Sequence, residues 1–226
     1  LETARIELET HALRDELTGL PNRLSFEGRL AQAQAQADAQ QGQVALLVVA
    51  LDGFKHVNDH FGHDCGDRLL QRIAQRLRGL VTPHSAARLG GDEFLLLLDR
   101  ESTSQQAMAL AVQVIDAVTQ PCSLNERELS VSCSVGVALY PQHGSMSALI
   151  THAGVAMRAA KSAGGSTYAV FDARMEVDSR DQAELLRDLL HHETERRDVV
   201  GRGERIGIAE IDLVLSVGDF MVGGLH

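Results

Sequence analysis

The chain has 226 residues, 44% of them hydrophobic, enough to bury a sizeable core in one large domain or in one domain with an appendage. With 31 acidic and 21 basic residues the net charge is −10, which argues against a nucleic-acid backbone or an anionic membrane surface as the main partner. A single nucleotide in a locally basic pocket is still compatible with that charge. The three cysteines, Cys65, Cys122 and Cys133, are widely spaced and odd in number, and so predict a reducing compartment rather than a disulfide framework or a zinc site. No apolar run approaches membrane-spanning length and there is no secretory leader, so the expectation is a cytoplasmic location, or the cytoplasmic portion of a longer membrane-associated protein. The first residue is Leu1, which reads as a piece excised from something longer.

Residues 1–14 read as a charged helix with a thin apolar stripe through Ile6 and Leu13. A solvated connector and a helix that carries a signal from an upstream sensor both fit it. Residues 15–23 (DELTGLPNR) are a turn-rich break, and 24–41 are an Ala/Gln-rich helix. Residues 44–51 (VALLVVAL) form a near-continuous apolar run with the character of a strand buried on both faces. The Leu69, Leu70, Ile73, Leu77 and Leu80 spacing predicts an amphipathic helix over 64–80. A hairpin over 86–98 follows, then a helix at 104–119, strand material at 129–140, a helix at 146–163 and a short strand at 167–171. That order predicts an α+β sandwich with helices against a mixed or antiparallel sheet. Residues 172–226 hold 13 acidic and 7 basic residues, begin with a helical pattern over 176–195, and then become Gly-rich.

The hairpin contains Arg88-Leu89-Gly90-Gly91-Asp92-Glu93-Phe94. Two glycines allow a sharp bend and close approach of a ligand to the backbone, and two acids follow at a strand edge, where a hard metal ion can be met. A simple hairpin turn is the plainer reading of this heptapeptide alone. Four further motifs stand around it in order: DELTGLPNR at 15–23, LDGFKHVNDHFGHDCGD at 51–67, SVGVALYPQHG at 134–144 and AAKSAGG at 159–165. Together they resemble the GGDEF domain, the family of diguanylate cyclases, over about residues 13–171. The resemblance implies a palm-like nucleotidyl-cyclase sheet with a ferredoxin-like core flanked by helices. It also implies conversion of two GTP to cyclic di-GMP and two pyrophosphates by a head-to-head homodimer, with Mg²⁺ or Mn²⁺. By the same resemblance the domains are an N-terminal connector at 1–14, the GGDEF domain at 15–171, a linker helix at 172–195 similar to the lead-in to an EAL phosphodiesterase domain, and an unassigned tail at 196–226.

The resemblance also implies residue roles. Asn58 and Asp67 match the guanine readers; a helix cap and a solvated acid are the plainer alternatives. Phe54 and Lys55, in a tight turn after the first strand, match positions near the triphosphate, as do Gly90, Gly91 and Lys161. Asp92 matches a metal-binding acid, with the Leu51 carbonyl as a second ligand and Asp52 as a further candidate. Glu93 matches the acid near the reacting ribose. Nucleic acid and membrane are not expected partners; an upstream sensor and a downstream EAL domain are.

The pattern breaks in several places. The family places a second metal carboxylate where this chain has Ala50, two residues before Asp52. Loss of even an outer-shell partner typically costs about 10–100-fold, so the expectation is impaired turnover. An inactive GTP-binding regulatory or dimerisation module is the alternative. Gly165 stands where the family has a phosphate-binding Arg, Arg158 replaces an aromatic and Gly154 an acid. The product-inhibition motif reads Val81-Thr82-Pro83-His84, so feedback through it is not expected. His56, His60 and His63 read as surface histidines rather than ligands.

Overall fold

The computed structural model describes residues 12–81, 85–99, 103–124 and 127–176. The N-terminal connector up to residue 11, the linker beyond Glu176 and the tail lie outside the described residues. A five-stranded sheet runs in the order β2-β3-β1-β6-β7, with β1 (Val44–Leu51) at its centre. Its partners β3 (Glu93–Leu98) and β6 (Cys133–Tyr140) are antiparallel to it, β2 (Ala86–Gly90) is antiparallel to β3, and β7 (Tyr168–Val170) alone lies parallel, beside β6. This is the mixed α+β sheet flanked by helices that the element order predicts, in the palm-like arrangement that the resemblance implies.

Helices cover both faces, and for that reason β1 is apolar at every position. Ala45, Leu47, Val49 and Leu51 point to the side packed by α3 (His63–Leu80) and α4 (Ser104–Thr119). Val44, Leu46, Val48 and Ala50 point to the side packed by α1 (Arg23–Gln40) and α5 (Met146–Ser162). On α1 the buried positions Phe26, Leu30, Ala33 and Ala37 recur at helical spacing, and the Asn22 side chain caps the first turn by accepting from Ser25 N. A capping box between Thr103 and Gln106 starts α4. Arg76 of α3 fastens the far end of α4 by donating to the carbonyls of Ala117, Val118, Gln120 and Pro121. Gly136 of β6 sets how close α5 lies to the sheet: a Cβ there would fall 1.9 Å from Ala153 O and 2.2 Å from Met157 N.

Two elements differ from the sequence expectation. Phe54–Phe61 is a helix, α2, not a tight turn. Its eight residues bury only Val57 and are bounded by Gly53 and Gly62, so local sequence reads as polar loop. The strand material at 129–140 is also divided. A separate hairpin pairs β4 (Cys122–Leu124) with β5 (Arg127–Leu129), and β6 begins only at Cys133. At the exit from β7, Phe171 stacks on His152 (4.2 Å between ring centroids) and takes His143 edge-on at 5.6 Å. Burial, and then the neighbouring His152, hold His143 below the ordinary histidine pKa, against the opposing pull of Asp172.

Candidate functional site

The β2–β3 bend is formed by Gly90 at φ +134° and Gly91 at φ +53°, where the ladder also shifts register. The next residue, Asp92, accepts at its carbonyl from Leu51 N at 3.2 Å, which fixes the bend beside the end of β1. Glu93 stands directly across from Ala50 in the β1–β3 ladder, and Ser134 stands across from Ala50 on the other side. Residues opposed in this way carry Cβ atoms about 4.5–5.5 Å apart. The acid, the alanine methyl and the buried serine therefore form one row across the sheet.

Arg88 braces the bend from beneath. Its Nη2 donates to Gly91 O at 2.7 Å, and its Nη1 lies 3.1 Å from both carboxylate oxygens of Asp15. Asp15 belongs to the turn over residues 14–21, which also receives Arg14 Nη1 on Gly19 O at 2.6 Å. Burial raises the Asp15 carboxyl, but hydrogen bonds from the Thr18 side chain and backbone and from Arg88 outweigh it and leave the pKa below the ordinary aspartate value.

Asp52 follows β1 and turns towards β6. Its carboxylate accepts from Ser132 Oγ (2.8 Å), Ser134 Oγ (2.8 Å) and Ser166 N (2.9 Å). Gly165, at φ +72°, closes the loop over it: a Cβ there would lie 2.9 Å from Asp52 Oδ2. Burial, with the Asp52 charge adding to it, pushes the Cys133 thiol up to about 12, so this cysteine is no nucleophile. Lys161, on the last turn of α5, reaches back so that Nζ lies 3.5 Å from Leu51 O.

Helices α2 and α3 meet at Gly62. Asn58 of α2 presses against Gly66 of α3, where a Cβ would fall 1.9 Å from Asn58 Oδ1 and 3.2 Å from Phe54 Cζ. Asn58 Oδ1 is buried without a hydrogen-bond partner. Asp67, the next residue on α3, is exposed. Phe54 and Lys55 open α2, ahead of His56 N and Val57 N, which both donate to Gly53 O.

The structure thus draws Leu51, Asp92, Glu93 and Lys161 together at one end of β1, and Asn58 together with Gly66 at the α2–α3 junction. Sequence reasoning missed Ser132, Ser134, Ser166 and Gly66. The serines lie 80–114 residues from Asp52, a separation with no local signal. A groove of about 370 Å³ between α1 and α5, bordered by Arg23, Leu30, Met146 and Ile150, involves none of the site residues.

The family model for the diguanylate cyclase GGDEF domain matches residues 12–167. The chain belongs to the GGDEF family. It is 41% identical over 202 residues to the bifunctional diguanylate cyclase/cyclic di-GMP phosphodiesterase MucR of Pseudomonas aeruginosa, covering 88% of this chain and 29% of MucR. It is 40% identical over 164 residues to the diguanylate cyclase TpbB of the same organism, covering 71% of this chain and 38% of TpbB. The cyclic di-GMP phosphodiesterase PdeR of Escherichia coli is 39% identical over 175 residues, which is 76% of this chain and 26% of PdeR. Among solved structures, the GGDEF domain of TpbB superposes with a TM-score of 0.70 at 37% identity, covering 74% of this chain and 99% of that one. The chain thus spans 29% and 38% of the length of MucR and TpbB.

GGDEF cyclases work with a divalent metal. A pair of such ions needs several anionic oxygens in one place. Here the residue opposite Glu93 is Ala50 and the Asp52 carboxylate is engaged by three donors. Among the described residues, no three His, Cys, Asp or Glu side chains are grouped to hold an ion. The donor set of this GGDEF domain does not fit a two-ion centre. No helix among the described residues is long and apolar enough to cross a membrane.

Proposed function

We propose that this GGDEF domain binds GTP at the α2–α3 junction and the end of β1, and that its conversion of two GTP to cyclic di-GMP is weak. The observation that carries the nucleotide reading is the buried, unpartnered Asn58 Oδ1. A buried acceptor without a donor costs about 1–3 kcal/mol, and the Watson–Crick edge of guanine supplies donors at N1 and N2. Asn58 and Asp67 read that edge. The backbone N–H groups of Phe54 and Lys55 and the Lys55 and Lys161 ammonium groups receive phosphate oxygens. Gly90 and Gly91 let the nucleotide approach the backbone.

In the reaction, the 3′-hydroxyl oxygen of one GTP bonds to the α-phosphorus of another, the α–β bridging bond breaks, and pyrophosphate leaves. Glu93 takes the proton of the attacking hydroxyl and Asp92 orients the bend. Each subunit of a homodimer presents one GTP. Ala50 supports the weak-turnover reading, because it puts a methyl where an acid opposite Glu93 would gather positive charge. The domain sits in the cytoplasmic part of a longer protein, with residues 1–14 as its input connector and 172–195 as its output linker.

The test is incubation with GTP and Mg²⁺ or Mn²⁺ and chromatography for cyclic di-GMP, with Ala50→Asp alongside. Little product from the natural sequence and a rise of about tenfold or more in the variant are expected. Robust turnover by the natural sequence defeats the reading. A second reading is favoured by the phosphodiesterase activity in the names of MucR and PdeR: a GTP-binding module that controls an adjoining phosphodiesterase. No product from either protein, with GTP still bound, selects it.

A further inference from the structure

A divalent ion at the end of β1 requires several hard anionic oxygens, and beside Asp92 and Glu93 this chain has lost one candidate and committed another. Ala50 offers a methyl group opposite Glu93. The next carboxylate of the same strand parity, Asp52, accepts from Ser132 Oγ, Ser134 Oγ and Ser166 N at 2.8–2.9 Å. Turning it outward would strand the fully buried Ser134 hydroxyl and break the bond that closes the 163–166 loop. Gly165 deepens that commitment, because its missing Cβ leaves room for Asp52 Oδ2 and because it presents no side chain to a ligand.

One cation does stand at this place. Lys161 Nζ is 3.5 Å from Leu51 O, on the carbonyl next to which Asp92 is fastened. An ammonium carries three N–H donors, so one directed at Leu51 O leaves two for phosphate oxygens. A divalent ion brought to the same carbonyl would be repelled by the ammonium at short range. We propose, on the footing of the GTP site described above, that the Lys161 ammonium takes the place of the divalent ion beside the Leu51 carbonyl, so that this domain binds the triphosphate of GTP without Mg²⁺. A single positive charge orients the phosphates but neutralises less charge than an ion pair would, which agrees with binding that outlasts catalysis.

The test is calorimetric titration of the whole 226-residue chain with α,β-methylene-GTP, whose bridge is not cleaved, in excess EDTA and again in excess Mg²⁺. Affinities within about threefold of each other are expected in the two buffers, and Lys161→Met, at an exposed position, should weaken binding in EDTA by about tenfold or more. A gain of about tenfold or more on adding Mg²⁺ to the natural sequence overturns the substitution while leaving the GTP site standing. Unchanged binding by Lys161→Met in EDTA overturns it as well. Absence of binding in both buffers overturns the GTP site itself, and the substitution with it.

Discussion

Arg88 Nη1 lies 3.1 Å from both carboxylate oxygens of Asp15, a residue 73 positions earlier, and the same guanidinium holds Gly91 O at 2.7 Å. The turn at the start of the domain and the Gly-Gly bend at its site are therefore two ends of one clamp. Both side chains are largely withdrawn from water, at 10% and 21% exposure, so the pair is screened less than a surface ion pair. Asp15→Asn removes the charge and should lower stability by about 1–3 kcal/mol near neutral pH. The pH dependence has a definite sign. The folded-state pKa of Asp15 lies below the ordinary aspartate value, so its contribution is complete above that value and is lost as pH falls through the folded-state value. Urea denaturation of both proteins should show the gap between them narrowing from about pH 6 to about pH 3. A gap that stays constant would show that Asp15 is not held as a carboxylate by the clamp.

Gly136 is required by close approach, since its φ is unexceptional and the atoms around its missing Cβ are backbone. Ala153 O and Met157 N would lie 1.9 and 2.2 Å from a methyl there, and a helix backbone does not step aside as a side-chain tip does. Gly136→Ala should force α5 off the sheet, loosening Met146, Leu149 and Ala153 in the core they share with Val48 and Leu97. Overpacking of this kind costs about 1–3 kcal/mol and more where backbone must move. A fall of that size or larger in urea denaturation is expected, with lowered affinity for GTP because Lys161 rides on the same helix. A stability change under about 0.5 kcal/mol would show that α5 has slack.

The sequence disclosed those parts of the fold whose periodicity is long. The buried run of β1 and the apolar stripe of α3 appear at their expected places, and α1, α4 and α5 lie where helices are expected, with ends within one or two residues. Helix α2 was hidden because a single buried side chain, Val57, leaves no period to read. The β4–β5 hairpin was hidden because three-residue strands carry no alternation. At the site, the residues carried by motifs were legible, whereas the relations among them were not. That Ala50 faces Glu93 follows only from the β1–β3 register, and that Asp52 is spent on three serines follows only from β6 and the 163–166 loop folding back on β1.

Gly66 tests the proposed guanine pocket without deleting a polar group. A methyl at this position would fall 1.9 Å from Asn58 Oδ1 and 3.2 Å from Phe54 Cζ, which are side-chain atoms, unlike the backbone atoms around Gly136. Gly66→Ala should therefore cost little stability, since alanine also favours the helix by about 0.5–1 kcal/mol. It should nonetheless weaken GTP binding by about tenfold or more by displacing the guanine acceptor. Calorimetry with GTP beside a urea curve separates the two effects. Intact affinity in Gly66→Ala would remove Asn58 from the nucleotide pocket.

Placing at Gly165 the Arg that the resemblance implies should fail on its own. The backbone there is left-handed at φ +72°, which strains any side chain by about 1–3 kcal/mol. The new Cβ would also stand 2.9 Å from Asp52 Oδ2, inside the space the carboxylate uses to reach Ser132 and Ser166. Gly165→Arg alone is expected to lower the unfolding free energy by about 1–3 kcal/mol and to give no gain in cyclic di-GMP formation. Relaxing the obstacle at the same time, with Asp52→Ser, shortens the clashing side chain; the double variant should recover part of that loss relative to the sum of the two single changes. A thermodynamic cycle by urea denaturation reads this coupling directly, and additivity within about 0.5 kcal/mol would show that Gly165 and Asp52 do not share the space.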